Sequence, residues 1–256
     1  MRRASRAHDS SDPQGDAAPP VRDALFAGIV PLWQPARGYR VNVDSLLLAD
    51  FAARSRPKAR HLADLGSGVG AVTLAYAHLA ELRACTLIER EPELAALARR
   101  NLDGGGIEGR IITADLSSPL PSTSKGIADV VVSNPPFFPT DGRVGRTLRS
   151  RSRGGPLEPF LRAAEAIMGR RAYAFFAYPA PALPEILGAA RDVGLVPKRL
   201  RLVHAFVTKP ARLALVELRR AKPGGLVVEP PVVEWVARGT RSRELEALVG
   251  GVRRAP

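Results

Sequence analysis

Asp64-Leu65-Gly66-Ser67-Gly68-Val69-Gly70 joins a strand pattern, Arg60–Leu65, to a helix pattern, Val69–Leu82. Glycines at such a junction let the backbone turn tightly and come close to a ligand. The loop departs from a dinucleotide-binding one in two ways. Its spacing is G-x-G-x-G rather than G-x-G-x-x-G. A carboxylate, Asp64, also stands directly before it, where a negative charge would repel a pyrophosphate. An acid in that place suits a cationic ligand or one that presents hydrogen-bond donors.

Outward from this loop the chain alternates helix and strand patterns. Upstream, Ser45–Arg54 reads as a helix behind an Asp44 cap, with Leu46, Leu47, Leu48 and Phe51 on its apolar face. Downstream come strand Ala84–Ile88, helix Glu91–Leu102 stopped by Gly104-Gly105-Gly106, and the short strand Arg110–Thr113. Ile127–Val132 is almost continuously apolar, as a strand covered on both faces should be. Helix Pro159–Met168, strand Arg171–Ala177 and helix Pro181–Val193 follow. Val196–Val207 and Leu213–Leu218 have no helix between them and should pair as an antiparallel hairpin. This order predicts an α/β fold. Its doubly wound, mostly parallel sheet is closed by an antiparallel C-terminal hairpin, and ligands sit at the carboxyl ends of the strands. With that closing hairpin the pattern resembles the Rossmann-like class I methyltransferase fold more than a dinucleotide-binding one.

Two more strand patterns end in acids. Glu89 follows Ala84–Ile88 and can accept both hydroxyls of a ribose, a role that would serve NAD equally well. Asp115 follows Arg110–Thr113 and can accept from an adenine amino group. Each acid alone has a bland reading as a solvated surface charge. Three at successive strand ends resemble the S-adenosylmethionine site of class I methyltransferases. That resemblance implies that Asp64, Gly66, Ser67 and Gly68 lie near the methionine part, Glu89 on the ribose and Asp115 on the adenine.

Behind Ile127–Val132 stands Asn134-Pro135-Pro136-Phe137. Each proline fixes φ and lacks an N–H, and the residue before a proline is pushed to extended backbone. The result is a stiff platform with the Asn134 amide oxygen and the Pro135 carbonyl as acceptors and an aromatic ring beside them. An isolated Asn-Pro-Pro would be a strand-ending turn. Next to the glycine loop it resembles the N-P-P-[FY] motif of amino methyltransferases, which modify base amines or glutamine amides. The motif implies that Asn134 and Pro135 accept the N–H groups of a planar amine and that Phe137 stacks on it. Asn134, Pro135, Pro136 and Phe137 are thus the expected catalytic residues, with Asn134 also facing the cofactor.

The chain has 256 residues, 45% of them hydrophobic, enough for one large domain. Residues 1–22 lack apolar periodicity and read as a disordered tail, leaving residues 23–256 as a single domain. No apolar run reaches membrane length, and no apolar segment follows Met1-Arg2-Arg3 to make a signal peptide. The single cysteine, Cys85, fits a reducing compartment, so a cytoplasmic protein is expected. Four scattered histidines offer no metal-ligand spacing, and no metal is expected. Nothing suggests a membrane partner, and a monomer is favoured.

The formal net charge of +13 points to a polyanionic partner, although an arginine-rich genome would produce a similar total. Position is therefore more telling. Five arginines (Arg143, Arg146, Arg149, Arg151 and Arg153) and one acid, Asp141, fall between Pro139 and Gly155, directly after the platform. Eight Lys/Arg and one acid, Glu217, fall between Val196 and Lys222. Both runs read as contacts to RNA phosphates.

Gln34-Pro35-Ala36-Arg37-Gly38-Tyr39-Arg40, followed by Asp44-Ser45-Leu46-Leu47-Leu48-Ala49-Asp50, is similar to a segment of the tRNA1(Val) (adenine-N(6))-methyltransferase family. The likeness extends over roughly residues 23–250. It implies that Tyr39 and Arg40 cover the cofactor, that the partner is a tRNA, and that the substrate is the adenosine 3′ of the anticodon in a valine tRNA. The stretch Arg149–Gly155 departs from the family pattern. Rival readings are a protein glutamine N(5)-methyltransferase, an rRNA amino methyltransferase and a non-enzymatic RNA-binding module that keeps the fold.

Overall fold

A computed structural model describes residues 18–38, 40–136 and 157–252. In chain order the elements are β1 (Val21–Leu25), β2 (Val30–Gln34), α1 (Val43–Ser55), β3 (Lys58–Ala59), β4 (Leu62–Leu65), α2 (Ala71–Leu79), β5 (Glu81–Leu82) and β6 (Cys85–Glu89). They continue with α3 (Pro92–Gly104), β7 (Gly109–Thr113), β8 (Ala128–Ser133), α4 (Glu158–Ile167), β9 (Met168–Pro179), α5 (Leu183–Asp192), β10 (Val196–His204) and β11 (Ala211–Arg219). The chain closes with β12 (Val227–Val233), β13 (Trp235–Ala237), β14 (Thr240–Arg241) and α6 (Arg243–Val249).

Eight strands form the central sheet in the order β12-β10-β11-β9-β8-β4-β6-β7. Only β11 runs against its neighbours, β9 and β10; the other pairings are parallel. The doubly wound sheet and its C-terminal hairpin are as the sequence predicts. β8 explains its own apolar run. Val130 and Val132 face one core with Leu48, Phe51, Leu74 and Tyr76. Val131 faces the other with Leu161, Ile167, Phe176 and Ile186. A strand buried on both faces has no polar alternation to show.

Three features differ from the sequence reading. The N-cap of α1 is Asn42, whose side chain accepts from the Asp44 N–H; Asp44 lies inside the first turn. Val21 and Arg22, assigned to the tail, belong to β1, while residues 1–17 lie outside the described residues. The β1–β2 hairpin turns through Phe26 and Ala27, both left-handed with φ of 52° and 51°. It is held by Asn101, whose amide accepts from Trp33 N–H and donates to the carbonyls of Trp33 and Val69. The third is β12, an edge strand parallel to β10 that contains Pro230 and Pro231. Prolines lack the ladder donor and are tolerated at edges, which is why a proline pair hides this strand from a pattern search.

The basic run in β10 and β11 is also put to a different use. Six of its eight cations have partners inside the chain. Lys198 donates to the carbonyls of Lys222 and Gly224. Arg199 pairs with Glu217 and Glu229, and Arg201 with Glu244. Arg212 bridges Asp44 and Glu234, Arg219 pairs with Glu217, and Arg220 holds Glu165. These residues lock the C-terminal strands together and are occupied there, which corrects the expectation that the run as a whole meets phosphate.

Candidate active site

β4 delivers the glycine loop to the carboxyl edge of the sheet. Gly66, Gly68 and Gly70 take φ of +67°, +56° and +81°, left-handed values that explain the glycines. The loop is pinned to the end of β6, because Gly66 N–H and Ser67 N–H both donate to the Ile88 carbonyl. A Cβ on Gly66 would lie 2.8 Å from Phe160 Cε1. The loop therefore has no room for a side chain on the side that faces α4.

A cavity of about 440 Å³ opens above this loop. Asp64, Gly66, Ser67, Gly68, Glu89, Asp115, Asn134, Pro135 and Pro136 all line it. Residues drawn from the ends of four different strands thus converge on one space. Asn42, Ser45, Leu94, Pro159 and Phe160 complete parts of the wall; of these only Ser45 stands at a fixed position of the Gln34–Asp50 segment. Phe160 could have been suspected only from its place at the start of the helix after the Asn-Pro-Pro segment. Tyr39, Phe137, Arg143, Arg146, Arg149, Arg151 and Arg153 lie outside the described residues. Arg40 does not line the cavity. Its guanidinium pairs with Asp23 at 3.1 Å.

The three acids differ in state. Asp64 is 1% exposed, and burial pushes its pKa from 3.8 up to about 7, against the hydrogen bond from Thr73 Oγ1 at 2.8 Å. It is a carboxyl group short of positive charge. Glu89 accepts from Gly68 N–H at 2.7 Å and from Glu91 N–H at 3.0 Å, one bond to each oxygen. Those bonds orient the carboxylate and leave each oxygen a further lone pair for a ligand hydroxyl. Asp115 is exposed, and the Ser117 hydroxyl and N–H hold its carboxyl below the usual range.

Two buried polar atoms at the cavity have no hydrogen-bond partner among the described residues: Ser67 Oγ and Asn134 Oδ1. A buried polar group without a partner costs about 1–3 kcal/mol, so such atoms mark places where a ligand completes the structure. With the partner-short Asp64 and the close-packed glycine loop, they fit a cofactor that carries positive charge and donors at one end. None of the described histidines lines the cavity, and no cluster of described residues could hold a metal ion.

Residues 40–148 match the family model for the methyltransferase small domain. Among curated proteins, a tRNA1(Val) (adenine(37)-N6)-methyltransferase of Porphyromonas gingivalis is 30% identical over 193 residues, 71% of this chain and 75% of that protein. The chain belongs to the tRNA1(Val) (adenine-N(6))-methyltransferase family. It is an S-adenosylmethionine-dependent class I methyltransferase. A release factor glutamine methyltransferase of Geobacter sulfurreducens is 31% identical, but over only 97 residues, 38% of this chain and 33% of that one. Among solved structures, a predicted O-methyltransferase of Agrobacterium tumefaciens has the same fold, with a TM-score of 0.65 and 23% identity over 83% of this methyltransferase and 98% of that chain. A Thermus thermophilus 16S rRNA N2 G1207 methyltransferase, solved with AdoMet and guanosine, has a TM-score of 0.53 and 19% identity. It covers 79% of this chain and 50% of its own.

Proposed function

We propose that this methyltransferase modifies N6 of an adenosine in tRNA, the one 3′ of the anticodon of a valine tRNA. The observation that carries the reading is Asn134 Oδ1, buried at the cofactor cavity with no partner among the described residues and followed by two prolines. An exocyclic amine is a poor nucleophile because its lone pair is delocalised into the ring. Asn134 Oδ1 and the Pro135 carbonyl would accept its two N–H groups, which favours a pyramidal nitrogen with its lone pair aimed at the donor. The gain comes from orientation and fixed dipoles. S-adenosylmethionine supplies an electrophilic methyl on a sulfonium. Asp64, Gly66, Ser67 and Gly68 would hold its methionine end, Glu89 the ribose hydroxyls and Asp115 the adenine amine. Transfer would break the sulfonium S–CH3 bond and leave a neutral thioether, while the amine proton, acidic only as the C–N bond forms, would pass to solvent, so no histidine is required.

Phe137 is proposed to stack on the target base, and Arg143, Arg146, Arg149, Arg151 and Arg153 to meet the phosphates. An anticodon-loop adenosine can be splayed out at low cost because it lies outside a duplex. The adenine-specific relative matches over 71% of this chain, whereas the glutamine methyltransferase matches over 38%. The test is nucleoside mass spectrometry of tRNA from a deletion strain. Loss of N6-methyladenosine from one valine tRNA is the expected result. Unchanged tRNA, with label from the purified protein entering release factor or ribosomal RNA instead, overturns the substrate assignment. Binding to tRNA should weaken steeply with salt.

A further inference from the structure

A second cavity, of about 320 Å³, lies beside the cofactor cavity and shares one wall residue with it, Asn42. Its floor is apolar, with Leu25, Leu32 and Leu46 among the residues that form it. Trp235 and Arg241 stand on the far side. They are cross-strand partners in the β13–β14 hairpin, with the guanidinium 5.8 Å from the indole centroid. The hairpin is fixed to the carboxyl edge of the sheet, because Glu234 N–H and Trp235 N–H donate to the carbonyls of His204 and Ala205 at the end of β10. Arg212 binds Glu234 on one side and Asp44 on the other, which ties the hairpin to the first turn of α1. Asn42 and Ser45, from the same turn, line the cofactor cavity. The two compartments therefore share a rigid partition.

Charge tells what the second compartment takes. Its two acids are already matched: Asp23 by Arg40 and Gln34, Glu234 by Arg212. Arg241, in its wall, has no acidic partner among the described residues. An apolar pocket with an indole at its side and one guanidinium in its wall, that of Arg241, suits a planar, apolar-faced group joined to an anion. A nucleotide of single-stranded RNA has that form, since aromatic and guanidinium faces stack on bases of any sequence. We infer that this cavity is a subsite for a nucleotide flanking the methylated one, held by Trp235 and Arg241. The inference rests on the RNA reading of the preceding subsection and adds a place for a second base.

The chain has two tryptophans, Trp33 and Trp235, so Trp33→Phe leaves Trp235 as the single indole reporter. In that variant an anticodon stem–loop RNA should quench the emission, and S-adenosylmethionine alone should not. In the otherwise unaltered chain, Trp235→Ala and Arg241→Gln should each raise KM for tRNA by at least about fivefold. The kcat at saturating tRNA and the cofactor affinity should stay unchanged, and Trp235→Phe should restore most of the loss. An unquenched Trp235 with KM unaltered in both variants overturns the subsite while methylation of tRNA by the wild type stands. If the wild-type protein neither binds nor methylates any RNA, the substrate reading falls and the subsite with it.

Discussion

The two halves of the central sheet use the same residue types in opposite ways. At the carboxyl ends of β4, β6 and β7 stand Asp64, Glu89 and Asp115, none in an ion pair among the described residues. In the C-terminal half Glu217, Glu229, Glu234 and Glu244 are each taken by arginines from neighbouring strands. Glu217, with no exposed side-chain surface, carries Arg199 and Arg219 together and also accepts from Ser55. Acids whose charge is matched within the fold hold strands together. Acids left short of charge around a cavity wait for a ligand. Composition sees both groups alike, and only their partners tell them apart.

The largest effect should come from the cavity side. Asn134→Ala removes the acceptor for the amine and should lower kcat roughly a hundredfold to a thousandfold, by analogy with loss of one oxyanion-hole donor. Calorimetric affinity for S-adenosylmethionine should change little; retained turnover would remove Asn134 from catalysis. On the paired side, Glu217→Ala takes a buried carboxylate away from two half-buried guanidiniums, of which Arg199 keeps Glu229, and should cost about 2 kcal/mol of stability. Urea unfolding measures this, and a cost near zero would mean that the C-terminal charges are as idle as surface pairs.

Asp64 gives the contrast a pH dependence. Its folded pKa is near 7, above its ordinary 3.8. Between those values the folded chain keeps a proton that the unfolded chain has released. This group's contribution to stability therefore falls as pH rises through that window and levels off above it. Asp64→Asn should remain free of that slope, so its stability relative to wild type should improve from about pH 5 to about pH 8. Affinity for the cationic cofactor should move the other way, rising with pH in the wild type and staying flat in Asp64→Asn. The smallest effect should be Arg40→Ala. An exposed pair such as Arg40–Asp23 is worth about 0–1 kcal/mol, and loss of this one should leave cofactor affinity within about twofold. A tenfold loss would bring Arg40 back to the cofactor.

The sequence carries the cavity side of this contrast well and the paired side poorly. The glycine loop, the two acids that follow strands, and the Asn-Pro-Pro platform are local signals. Each needs only its neighbours in the chain to be read. Arg199, Arg201 and Arg212 pair with acids 18 to 43 residues further along, and in the chain they look like a free basic run. Phe160 packs against Gly66 across the whole of β8 and the segment that follows it, so no spacing links them. The β1–β2 hairpin escapes because Pro31 breaks its alternation and because non-glycine residues, Phe26 and Ala27, make its turn.

The prolines of β12 matter for more than its register. This strand forms one margin of the sheet, and Val227 and Val228 on it are 57% and 60% exposed. An apolar strand margin is a template on which another chain can add itself. Of the adjacent Pro230 and Pro231, one directs its nitrogen outward, and there an incoming strand would find no N–H. The feature that hides β12 in the sequence also interrupts the edge on which another chain could add itself.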